Sequence, residues 1–112
     1  MSDDQAIEDQ IEAKGLNAPR ISLAHVQEMR RRVFYRFEQP VNTTTTFCHA
    51  FLDGTFYLGS GHSACVSPEN FDAQVGQDAA MRKAQQVATD KLYELEGYRL
   101  WAEMNRPEVV SD

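Results

Sequence analysis

No apolar run of about 18 residues, the minimum for a helix crossing a bilayer, occurs anywhere in the chain. The two longest stretches without Lys, Arg, Asp or Glu, Gln39–Leu52 and Gly54–Pro68, are shorter than that. A transmembrane segment is therefore not expected. Cysteine is scarce: Cys48 and Cys65 are too few for a disulfide-stapled secreted scaffold and are expected to remain thiols. Residues 3 to 12 contain no base, only Asp3, Asp4, Glu8, Asp9 and Glu12 among charged types, and no apolar signal core follows them. The expectation is a cytosolic protein. Bases are also in the minority overall, 11 Lys and Arg against 17 Asp and Glu for a net charge of −6, which disfavours nonspecific attraction to polyphosphate.

What is present suits one small domain. With 112 residues, 42% of them hydrophobic, the chain can bury a core unaided. Ile7 and Ile11 mark a thin apolar stripe, with acids before them and Lys14-Gly15 as a helix stop, so residues 1–15 form an acidic helical arm. Residues 16–105 are assigned to the domain and 106–112 to a flexible tail.

Ser22 is a good N-cap, with Ile21 and Val26 placed as a hydrophobic staple. Leu23, Val26, Met29, Val33 and Phe37 recur at spacings of three and four, which predicts a second helix over 23–38 ending before Pro40. Arg30, Arg31, Arg32, Tyr35 and Arg36 would then occupy the other side of it. An arginine-rich exposed face is usually only solvated, but Arg31, Arg32 and Tyr35 are kept as candidate binding residues for nucleic acid or an acidic partner.

Thr43 to Leu52 is a β-branched and aromatic run, and Asp53-Gly54 predicts a two-residue turn into a returning strand. With Leu52 opposite Thr55, one sheet face holds Phe47, His49, Phe51, Phe56 and Leu58 and is expected to be the core. His49 then reads as a satisfied core imidazole. Gly59-Ser60-Gly61-His62-Ser63-Ala64 formally fits a dinucleotide-binding pattern, but it follows a hairpin strand and precedes no suitable helix, so the glycines are read as a flexible strand exit. Cys48, His49, His62 and Cys65 carry zinc-preferring atoms at poor spacing. Zinc or thiol chemistry at His62 and Cys65 is the least favoured reading, and no metal or other cofactor is expected.

Ser67 and Pro68 are read as the N-cap and first residue of a long helix ending at Gly97, with a possible short terminal helix beyond it. Its stripe of Ala80, Met81, Ala84, Val87, Ala88, Leu92 and Leu95 is expected to lie across the aromatic face of the hairpin. The fold class is therefore α+β: N-terminal helices, a two-stranded antiparallel β-hairpin and a long C-terminal helix packed on it. Helix, hairpin and helix in that order resemble a double-stranded-RNA-binding domain at the level of fold alone.

The segments from Ala13 to Ile21, from Thr46 to Cys48, from Ser63 to Ala73 and from Leu95 to Tyr98 resemble a family of small tailed-phage and prophage proteins named after products of the N-four and Sf-six phages. The block Ser63-Ala64-Cys65-Val66-Ser67-Pro68-Glu69-Asn70-Phe71-Asp72-Ala73 carries most of that resemblance. It implies a phage origin and action in the cytoplasm of the infected bacterium, without a known biochemical activity. Asn70 and Phe71 join the candidate binding residues as one recognition edge. The expectation is a non-enzymatic accessory protein that binds a host protein, with homodimerisation through a sheet face or edge possible and nucleic acid the runner-up partner.

Overall fold

The computed structural model describes residues 3–15 and 19–106. The element order is α1 (Asp3–Ala13), α2 (Leu23–Arg30), β1 (Val33–Glu38), β2 (Thr45–Leu52), β3 (Phe56–Ala64), a single 3-10 turn (Pro68–Asn70) and α3 (Ala73–Met104). The α+β class stands, but the sheet has three antiparallel strands in the order β1-β2-β3, not two. The assigned tail, beyond Arg106, falls outside the described residues, as do residues 16–18.

The extra strand comes from the segment expected to finish the second helix. That helix stops at Arg30, and Arg31 and Arg32 turn the chain into β1. Val33 and Phe37 fit a spacing of four, but Val33, Tyr35 and Phe37 fit a spacing of two equally well. The β-branched and aromatic residues there favour extension, and a two-stranded ribbon gains its third strand by it. The start of α2 is as expected: the Ser22 side chain accepts from His25 N at 3.1 Å, and Ile21 packs against the cluster containing Val26.

Strand register reverses the expected core. Leu52 pairs with Phe56, not Thr55, because the connection is a three-residue turn in which Asp53 and Gly54 take φ of 54° and 82°. That pairing already turns Leu58 away from the aromatic side, and a bulge at Ala50/Phe51 then sets Gly59 opposite Ala50 and Ser60 opposite His49. The face packed against α2 and α3 carries Thr46, Cys48, Ala50 and Leu58, all buried. Phe47, His49 and Phe51 point away from the helices.

Helix α3 explains this choice of face. Ala80, Ala84, Ala88 and Leu92 recur every four residues and are at most 1% exposed. Small side chains earn dispersion energy only at close approach, and a sheet face of Cys48, Ala50 and Gly61 allows it where phenylalanines would not. A Cβ on Gly61 would lie 2.4 Å from Ala84 N and 2.6 Å from Ala80 O. The glycines of the dinucleotide-like pattern therefore sit inside β3, and Gly61 is a helix-contact position, not a flexible exit.

The long helix also starts later and ends later than expected. Pro68 opens only the 3-10 turn, and Asp72 is the true N-cap, accepting from Val75 N at 3.0 Å. The helix runs through Gly97 to Met104, absorbing the separate terminal helix. At the other end of the chain, α1 docks in cis. The Glu8 carboxylate takes Arg20 and, at 2.9 Å, the backbone N–H of Leu23 at the first turn of α2.

Candidate functional site

The sequence-predicted binding residues do not form one surface. Arg31 pairs with Glu28, and Arg32 donates from Nε to Asp53 at 2.9 Å with a second bond alongside. Hydrogen bonding to Asp53 raises the Arg32 pKa, and the same contact holds the Asp53 carboxyl below its usual range. Tyr35 points to the helix side of the sheet, half-buried, where burial raises its phenol pKa. Asn70 and Phe71 lie at the opposite end of the sheet. They line a cleft of about 220 Å³ with Thr44, Ser63, Cys65 and Val75. In that cleft the Cys65 thiol donates to the Ser67 carbonyl at 3.0 Å.

The surface that the structure does assemble is the outer face of the sheet. Register places Phe34, Arg36 and Glu38 of β1 beside Phe51, His49 and Phe47 of β2, and these beside Tyr57, Ser60 and His62 of β3. The three-by-three array is opposite the side on which α2 and α3 pack. Phe34 is 54% and Tyr57 55% exposed, high for rings on a sheet face. The rings are mutually ordered: Phe47 stacks on His49 with centroids 5.9 Å apart, Phe47 meets His62 at 5.8 Å, and Phe51 meets Tyr57 at 5.7 Å. The Arg36 guanidinium lies 5.9 Å from the Phe34 ring centroid.

A polar chain crosses the middle of this array. His49 Nε2 is 2.9 Å from Glu38 Oε1, His49 Nδ1 is 2.6 Å from Ser60 Oγ, and the Tyr57 hydroxyl is 2.7 Å from the same Ser60 oxygen. With Nε2–H donating to Glu38, Nδ1 accepts the Ser60 proton and Ser60 accepts from Tyr57, so every group is satisfied. Carboxylate, imidazole and hydroxyl thus stand in the order of a nucleophile with its base and orienter. Strand N–H groups, however, lie in the plane of the sheet, perpendicular to side chains such as Ser60. They cannot converge above its oxygen as oxyanion donors do.

This chain was hidden in the sequence for one reason. The helix expected over 23–38 carries Glu38 at its end, which leaves His49 without an orienter. The usable signal was the two-residue period of Val33, Tyr35 and Phe37, which brings Glu38 onto the strand next to His49. Among the described residues, no group of three or more His, Cys, Asp or Glu side chains is arranged to hold a metal ion. His62 belongs to the aromatic face, and its pairing with Cys65 as a zinc or thiol centre has no support in that arrangement. Burial raises the pKa of the other thiol, Cys48. Among the described residues no helix is long and apolar enough to cross a membrane.

No curated protein and no solved structure matches the chain. A family model does match, over residues 5–104, and spans all three strands, α2, α3 and most of α1. The chain therefore belongs to the phage protein (N4 Gp49/phage Sf6 gene 66) family.

Proposed function

We propose that this phage-encoded protein is a non-enzymatic accessory protein that binds a protein of the infected bacterium, in its cytoplasm, through the outer aromatic face of the sheet. The observation that carries the reading is the three-by-three array, uncovered among the described residues, with Phe34 and Tyr57 more than half exposed beside phenylalanines already packed in order. Burying two such rings supplies roughly 1.5–3 kcal/mol each, and Tyr57, Arg36 and the Glu38–His49–Ser60 chain give direction to the contact. Nucleic acid fits less well. Arg31 and Arg32 are occupied by acids, Arg36 is balanced on the same face by Glu38, and the whole chain is acidic.

Affinity capture from infected cells tests the reading. Wild-type protein is expected to enrich a host protein, and Phe34→Ala with Tyr57→Ala to lose it while the circular-dichroism spectrum is unchanged. Capture undiminished by the double substitution would move the interface elsewhere. A salt-sensitive shift of single-stranded nucleic acid would assign the face to base stacking instead. A fluorophosphonate probe is expected to leave Ser60 unlabelled. Labelling that disappears in His49→Ala would make the array a serine hydrolase centre.

A further inference from the structure

The two free edges of the sheet are treated differently. On β3, Lys83 Nζ reaches over the edge to the His62 carbonyl at 3.0 Å, and the bulge breaks the register of the strand. On β1, six residues pair with β2 in unbroken register, with no proline, glycine or bulge, and among the described residues the opposite side of the strand has no neighbour in the sheet. Asp53 N donates to Arg32 O at 3.0 Å, so alternate residues Phe34, Arg36 and Glu38 also turn their backbone groups towards β2. Val33, Tyr35 and Phe37 turn theirs outward. Edge strands left in this condition are templates for another strand.

We propose that a second copy of this chain pairs antiparallel with β1, Tyr35 opposite the partner's Tyr35, to make one continuous six-stranded sheet. The choice of occupant rests on self-complementarity. About that two-fold axis, Arg32 faces the partner's Glu38, Phe34 faces the partner's Arg36 and Val33 faces the partner's Phe37, and each pairing occurs twice. The same cation-on-ring contact already exists within one chain between Arg36 and Phe34. All three outward-turned residues find outward-turned partners, giving about six main-chain hydrogen bonds. Moving the axis to Phe37 retains an Arg36 to Glu38 pairing but sets Val33 and Tyr35 against residues beyond the end of β1, including the connector after Pro40, and shortens the ladder. A slip of one residue puts the helix-facing side chains of one copy on the open face of the other.

The dimer goes beyond the host-binding reading and does not depend on it. It sets the two aromatic arrays edge to edge, so that each Phe34 meets a guanidinium from both chains. Sedimentation of the purified full-length chain at about 0.1 mM is expected to report twice the 12.7 kDa protomer mass. In amide hydrogen exchange, Val33, Tyr35 and Phe37 are expected to be protected at that concentration and to lose protection on dilution, while Phe34 and Arg36 stay protected. Phe37→Pro removes an outward donor and no bond to β2, so it is expected to sediment as monomer with its strand signal intact. If that variant fails to fold, the exchange pattern of the wild type decides alone. Monomeric sedimentation with fast exchange at the three outward amides overturns the proposal, and so does a dimer that survives in folded Phe37→Pro.

Discussion

Glu8 fastens two segments at once: its carboxylate takes the Arg20 guanidinium and caps the Leu23 N–H that opens α2. The Arg20 hydrogen bond first, and the Leu23 N–H second, hold its pKa below the ordinary glutamate value of 4.5. Asp53, in the turn that joins β2 to β3, is lowered in the same sense by Arg32, which immediately precedes β1. A carboxylate whose folded pKa lies below its unfolded value contributes stability above the unfolded value and loses it as pH falls through the folded one. Melting temperature is therefore expected to drop between about pH 6 and about pH 3, with part of that slope belonging to Glu8. Glu8→Gln, which keeps the shape and removes the titration, should melt lower than wild type near neutrality and approach it in acid. Parallel pH profiles for the two proteins would show that the carboxylate contributes nothing through its charge. Cys48 offers the converse case, since burial without a partner charge raises its thiol pKa and leaves it unreactive in the folded chain.

Among the elements, the contact of α3 with β3 depends on backbone meeting backbone. Gly61→Ala is expected to cost about 1–3 kcal/mol in urea unfolding, at the upper end of that range because the added carbon meets Ala84 N and Ala80 O, which no rotamer change can move aside. Gly97→Ala should do the reverse, since nothing lies within 4 Å of an added Cβ there and a mid-helix glycine is worth about 0.5–1 kcal/mol less than alanine. Opposite signs at Gly61, which lies against α3, and at Gly97, a position of α3 that faces open space, test the packing directly; equal effects would refute it. Much of α3 was legible because Ala80, Ala84, Ala88 and Leu92 repeat at the helix period, and α2 because Ser22 and Val26 mark its start. The third strand was not, since Val33 and Phe37 satisfy both periods and only tertiary pairing decides between them. Nor was the choice of core face. Hydrophobicity alone ranks Phe47 and Phe51 above Cys48 and Ala50, whereas an alanine-lined helix selects the neighbour with small residues. The polar chain through His49 was lost with the strand that supplies Glu38.

At the scale of the molecule, the shape is long and thin. Principal extents are 64 × 44 × 20 Å and the radius of gyration is 18.7 Å, against roughly 13 Å for a compact domain of this length. Two parts create the excess. Helix α1 contains no buried residue, and the last turns of α3 carry Tyr98, Trp101 and Met104 exposed, the two rings stacked at 6.2 Å. Between them, β2 is paired on both sides and α3 buries Ala80 to Leu92, so most of the apolar burial lies in one slab. Cooperativity should follow the same division. Native-state hydrogen exchange is expected to give β2 and residues 80–92 the global opening free energy, while α1 opens separately at a small fraction of it. Removal of residues 1–15 tests the hierarchy from the other direction. It deletes the Glu8 bond to Leu23 N, a capping interaction worth about 1 kcal/mol, but no buried apolar side chain of α1. The truncated chain should therefore unfold in one transition with an unchanged urea slope for the slab and a midpoint only slightly lower. A loss of several kcal/mol, or collapse of protection in β2, would mean that the arm is integral to the core, and the thin stripe of Ile7 and Ile11 would then have to contribute far more than its exposure permits.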